Sequence, residues 1–129
     1  MTAAFLRLRP GGVVQYALAG HPPILHRRAR TGEVRHLSEG SIPVGLLGDQ
    51  TFPAAELRLD PGDVLAVVTD GLSEVEDAAG RELGLAGLEA LLSREPEGPG
   101  ELLERLLEAA SAHGPRIDDQ SALVVRYEG

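Results

Sequence analysis

The sequence predicts an α+β domain, and three observations carry that expectation. Short runs with strand period, separated by Gly- and Pro-containing turns, fill the first half. Leucines at helical spacing follow from Leu85 to Leu107, and a β-branched apolar run closes the chain. Strands gathered ahead of helices suit α+β better than alternating βα units. The 129 residues can bury one core but not two, so residues 1–129 are read as a single unit.

Taken in order, Thr2 to Arg9 alternates apolar and basic residues and reads as a strand with one wet face. Pro10-Gly11-Gly12 turns the chain into a second strand, Val13 to Ala19, and Gly20-His21-Pro22-Pro23 breaks it. Ile24 to Arg30 and Glu33 to Leu37, joined at Thr31-Gly32, form another hairpin. The first 40 residues thus read as a β-meander, with Arg27, Arg28 and Arg30 on a solvent-facing strand surface by default and binding of a phosphorylated partner as the alternative. His26, His36 and His113 show no metal-ligand spacing and are read as surface or capping residues.

Ser38 to Gly48, with three glycines and Pro43, fits an ordered, closely packed loop, and Phe52 to Leu59 is extended. Asp60-Pro61-Gly62-Asp63 is a turn that feeds the apolar strand Val64 to Thr69. After Thr69-Asp70-Gly71 comes an acidic stretch to Asp77, read as a mobile, solvated loop that includes Glu74 and Glu76. Leu85, Leu88, Leu91 and Leu92 predict one helix; Leu102, Leu103, Leu106, Leu107 and Ala110 predict a second. Pro96 to Gly100 separates them and His113-Gly114-Pro115 ends the second. Ser121 to Tyr127, short and mostly apolar, reads as a central strand.

Composition narrows the functions available. Only Phe5, Tyr16, Phe52 and Tyr127 are aromatic, and the net charge of −8 divides into +4 over residues 1–40 and −12 over the rest. A nucleic-acid binder needs a basic face with stacking aromatics, so nucleic acid is an unsuitable partner. The absence of cysteine removes thiolate catalysis, disulfides and Cys-based zinc sites. No apolar run approaches the ~20 residues of a membrane helix and no signal-peptide pattern opens the chain, which predicts a cytoplasmic protein without membrane contact.

Asp70 follows one apolar strand, whereas Asp118 and Asp119 precede another. If the two strands are antiparallel neighbours, the carboxylates meet at one sheet edge and offer a hard cation an oxygen shell, with Asp70 and Asp118 separated by about 4 to 7 Å. Turn and cap duties account for such acids equally well from spacing alone.

Five motifs stand in a fixed order: Ala19-Gly20-His21-Pro22-Pro23, Ile42-Pro43-Val44-Gly45-Leu46, Leu59-Asp60-Pro61-Gly62-Asp63-Val64, Thr69-Asp70-Gly71-Leu72-Ser73-Glu74 and Asp118-Asp119-Gln120-Ser121. Together they make the chain resemble the bacterial PP2C-type phosphatases of the SpoIIE/RsbU group over essentially its whole length. The resemblance implies a PP2C-like sandwich of antiparallel β-sheets flanked by helices. It also implies hydrolysis of phosphoserine or phosphothreonine by a metal-bridging water, with two Mn²⁺ or Mg²⁺ ions and no protein nucleophile. Carried over by position, Asp70 and Asp118 are metal ligands and Asp119 supports them. A phosphorylated anti-sigma-factor antagonist is the implied substrate. His21 occupies a position where some relatives carry an aspartate of an additional metal site, although its prolines favour a structural turn.

The chain departs from that family at its start. The Gly-Asp segment whose carboxylate bridges both metals is absent, as is the helical pair that follows it, so the domain is expected to be incomplete at its N-terminus. Weak or no stand-alone activity and self-association through the uncovered sheet are the corresponding expectations. A catalytically incomplete binding or regulatory remnant is the alternative. A cupin-like barrel is a third reading, disfavoured because no His-x-His pair occurs.

Overall fold

The computed structural model describes residues 1–129 and stacks three layers: a first sheet, a second sheet and a set of helices. In the first sheet β1 (Ala3–Arg9) pairs antiparallel with β2 (Val13–Ala19) across a 3₁₀ turn at Pro10–Gly12. Along β2 the inward side chains Val14, Tyr16 and Leu18 are buried and alternate with half-buried neighbours, the period-2 signature of a sheet face. β2 also pairs with the two-residue β5 (Gly40–Ser41) and with β6 (Ala55–Arg58). The outer face of this sheet is open, and Phe5 on it is 59% exposed.

The second sheet runs β4-β3-β7-β8, with β3 at Ile24–Arg27, β4 at Val34–Leu37, β7 at Val64–Val68 and β8 at Ala122–Arg126, all antiparallel. It is the middle layer. Ile24 and Leu65 meet Val14, Tyr16 and Leu18 of the first sheet, while Leu25, Val64, Ala66 and Val68 meet the helices. The helices are α1 (Asp70–Ser73), α2 (Gly84–Ser93) and α3 (Pro99–His113), the last presenting Leu102, Leu106 and Ala110 to that second core.

This layering corrects several sequence-based expectations. The first 40 residues are not one meander: β1 and β2 belong to one sheet, β3 and β4 to the other. Because β3 is covered on both faces, it has no solvent side. His26 and Arg27, expected at the surface, are each only 6% exposed. The final strand lies at the edge of its sheet rather than at its centre. Its apolar run reflects two covered faces, Ala122 and Val124 against the helices, Val125 and Tyr127 between the sheets. The acidic stretch after Asp70 is anchored, with Leu72, Ser73 and Val75 buried and Glu76 bridged to Glu82. The two longer helices and the break between them lie where the leucine spacing puts them.

Candidate metal centre

β7 and β8 are antiparallel neighbours, in a register that pairs Val68 with Ala122. The next pair, Thr69 and Ser121, continues the contact through side chains. Thr69 N donates to Ser121 O at 3.0 Å, and Ser121 N donates to Thr69 Oγ1 at 2.9 Å. Thr69 is the N-cap residue of α1, yet its hydroxyl serves the neighbouring strand rather than the helix. One step further, Gln120 Nε2 donates to the Gly71 carbonyl at 3.1 Å. The strand tips are thereby stitched together just where the acids begin.

Gly71 is required by close approach. A Cβ built there would overlap the Asp119 carbonyl oxygen and lie 2.8 Å from its carbon. No side chain fits, so α1 and the Asp118–Asp119 segment press backbone to backbone. Gly114 repeats the device nearby, where a Cβ would overlap the Glu76 carbonyl oxygen and lie 3.4 Å from Val75 Cγ1.

The result is a cavity of about 170 Å³ lined by Asp70, Asp118, Asp119, Thr2, His21 and Thr69, with Gly71 and Pro22 completing the wall. Asp70 is exposed, and its carboxylate accepts no hydrogen bond. Asp118 Oδ1 accepts only the adjacent Asp119 N–H, at 2.7 Å. Asp119 Oδ1 is held by Arg116 Nη2 at 3.0 Å, a pair that lies in solvent. His21 Nδ1 sits 2.8 Å from the Pro22 carbonyl. A carbonyl only accepts, so Nδ1 carries the proton and Nε2 of the neutral ring keeps its lone pair. The turn reading of His21 and its place at the cavity are therefore compatible.

The donor set suits a hard cation, since carboxylate oxygens with free lone pairs are what Mg²⁺ or Mn²⁺ prefers. Its count is short. No group of three His, Asp or Glu side chains gathers closely enough to hold a cation by itself. The pocket thus fits part of a metal centre, with the Asp70 carboxylate unbonded and Asp118 engaged only by the adjacent Asp119 N–H.

The acidic stretch lines a separate cavity, where Glu76 and Asp77 stand with His113, Gly114 and Ile117. The Asp77 carboxyl sits below its ordinary value of 3.8, chiefly through the Arg81 backbone N–H; the Arg81 side chain and the Ala79 N–H add to this, and the His113 charge adds less. His113 Nε2 in turn meets the Arg81 carbonyl at 2.8 Å. Sequence reasoning missed Thr2, which enters the wall of the Asp70 cavity because β1 begins next to the strand tips. It also missed the buried acid at the far end of β7. Asp63 accepts from Ala29 N at 2.8 Å, Asp60 N at 3.1 Å and His26 Nε2 at 2.9 Å. Burial raises its carboxyl pKa, but these hydrogen bonds outweigh burial and leave it below 3.8.

The family model for stage II sporulation protein E (SpoIIE) matches residues 1–128. Among solved structures, the chain is similar to the manganese-presoaked phosphatase domain of the cell fate determinant SpoIIE from Bacillus subtilis. There the identity is 17% and the TM-score 0.74, over 98% of this chain and 56% of that one. The SiaA-PP2C domain of Pseudomonas aeruginosa gives 22% identity and a TM-score of 0.79, over 98% and 52%. The RsbU and RsbW domains of a Mycobacterium tuberculosis protein give 26% and 0.74, over 98% and 36%. The chain spans little more than half the length of the first two. No curated protein matches its sequence. The two sheets and flanking helices are those of the PP2C fold.

Proposed function

The chain belongs to the SpoIIE family of phosphatases, and from that premise we propose that it forms part of a divalent-metal-dependent enzyme that hydrolyses phosphoserine or phosphothreonine in a signalling protein. The observation that carries the reading is the convergence of Asp70, just after β7, and Asp118, just before β8, on one polar cavity. Asp70 and Asp118 are assigned as ligands of Mn²⁺ or Mg²⁺, with Asp119 as a neighbour that the Arg116 pair can release or hold. When bound, such ions neutralise phosphoryl charge and lower the pKa of water.

The chain's own residues supply the rest of the arrangement. Thr69 and Ser121 fix the separation of the two strand tips, and Gly71 fixes the height of the Asp118–Asp119 segment against α1. His21, tied to the Pro22 carbonyl through Nδ1, completes the wall. The substrate is read as a phosphorylated partner of the anti-sigma-factor antagonist type, and the compartment as cytoplasm. No helix is long and apolar enough to cross a membrane. The open outer face of the first sheet, around Phe5, is the surface through which two copies would associate.

Mn²⁺ titration of the 129 residues by calorimetry, followed by turnover of a phosphoserine peptide, tests this reading. Binding that Asp70→Asn and Asp118→Asn each weaken about tenfold or more supports the ligand assignment. Turnover at the rates of complete phosphatases by the same chain would contradict a partial centre. The absence of a three-ligand group favours one further reading, a non-catalytic regulatory remnant. That reading requires that supplying the remaining part of a family domain in trans restores no turnover.

A further inference from the structure

Arg27 is 94% buried, being only 6% exposed, yet none of the chain's ion pairs includes it. Its Nε is sealed from solvent with the proton unpaired. Only Nε is sealed; the terminal nitrogens keep solvent contact, so an anion that reaches them would supply the counter-charge this nearly buried side chain lacks.

Register places a second arginine beside it. Arg27 pairs with Val64, and Val64 pairs with Arg126. Paired residues share a face, so the two arginines flank Val64 on the side turned to the helices, one row below Leu25, Ala66 and Val124. Two strand spacings separate their backbones, about 10 Å, within reach of two arginine side chains converging on one group. Arg126 is poorly satisfied as well. Its Nη1 donates to the Glu97 carbonyl at a long 3.4 Å. Its buried Nε lies 3.4 Å from Glu128 Oε1, an ion-pair distance without hydrogen-bond alignment.

The link between α2 and α3 closes over this row, with Pro96 buried inside it. The carbonyls of that corner could have answered Arg27, but another arginine takes them. Arg105 donates to the Leu91, Arg94 and Glu95 carbonyls and is clamped by Glu101. The negative end of α2 is therefore engaged, and Arg27 remains without an anion.

We propose that Arg27 and Arg126 form the base of an oxyanion site at the α2–α3 corner of the second sheet, at the opposite end of β7 from Asp70, and that it binds a phosphate-class dianion. A carboxylate would balance only one of the two guanidinium groups. A tetrahedral dianion accepts planar forks from both sides and balances the pair once the exposed Glu128 carboxylate swings away from Arg126. The site stands independently of the phosphatase reading, because none of its residues touches the acidic cavity.

The test follows the arginine side-chain Nε–H resonances of the full chain by NMR, in chelator and at constant ionic strength, while inorganic phosphate replaces chloride. The Arg27 and Arg126 signals are expected to shift together and to saturate, and the thermal midpoint is expected to rise with phosphate. Arg27→Met is expected to weaken the phosphate response at least about tenfold, whereas Arg35→Met, on an exposed residue, leaves it intact. O-phosphoserine in a parallel titration separates sources: tighter binding than phosphate identifies a phosphoryl group carried on a ligand, weaker binding identifies the free ion. An Arg27 resonance that stays fixed at saturating phosphate overturns the proposal even if the Met variant fails to fold. So does a folded Arg27→Met chain with an undiminished response.

Discussion

Asp63 enters β7 and Asp70 leaves it, and the two carboxylates are treated in opposite ways. Asp63 is 2% exposed and accepts three hydrogen bonds from residues on two other segments. Asp70 is exposed and accepts none. The first ties the Asp60–Asp63 turn to β3 and to the bend after it, so its lone pairs are committed to the fold. The second stands on a backbone held by Thr69, Ser121 and Gln120, so that its own oxygens remain available. The two carboxylates thus differ in what holds the backbone and in what the side chain leaves undone, and the unbonded one is the one proposed as a metal ligand.

Mutation can break that contrast. Asp63→Ala strands two backbone N–H groups and a buried imidazole, and is expected to cost about 3 to 5 kcal/mol in urea unfolding. Gly71→Ala forces a methyl into the Asp119 carbonyl and is expected to cost about 1 to 3 kcal/mol by the same measurement. It should also displace Asp118 and reduce Mn²⁺ binding, an effect that Asp63→Asn, where it folds, should not reproduce.

Acid sharpens the contrast without mutation. The folded pKa of Asp63 lies below its unfolded value of 3.8. Its contribution is whole above that value and is lost as pH falls through the folded pKa. The urea midpoint should therefore drop below about pH 4, and less so in Asp63→Asn. Asp70→Asn should change stability by no more than about 0.5 kcal/mol while weakening Mn²⁺ binding. The smallest effect is expected from Arg116→Ala, about 0 to 0.5 kcal/mol, because both partners of its pair lie in solvent.

The two apolar strands that end at Thr69-Asp70-Gly71 and begin after Asp118-Asp119 were legible, and they do meet at one sheet edge; the layers that cover them were less so. Thr69-Asp70-Gly71 and Asp118-Asp119 are local signals: a strand run ending in acid and glycine is visible without knowing what covers it. The two leucine-rich helices were legible for the same reason. His26 and Arg27 were not, because alternation assigns a polar residue to water only when one face of the strand is wet. The first sheet covers the face that carries His26, and whether a third layer covers the face that carries Arg27 is decided by α2 and α3, more than 50 residues away in the chain. The final strand failed by the converse error, since covered faces and neighbouring strands both favour apolar residues. Asp63 was read as a turn residue, which it is, but a turn motif carries no information about the histidine that comes to meet it.

Gly114 has a consequence for motion. It lies between the end of α3 and the segment that leads to Asp118, with its Cα set against the Glu76 carbonyl and its amide bonded to Ala110 at 3.3 Å. The acidic stretch and the end of α3 thus meet backbone to backbone, with no side chain in between to act as a cushion. The acidic stretch and the end of α3 should accordingly open together, with matched amide exchange rates at Arg81, Leu83 and Gly114.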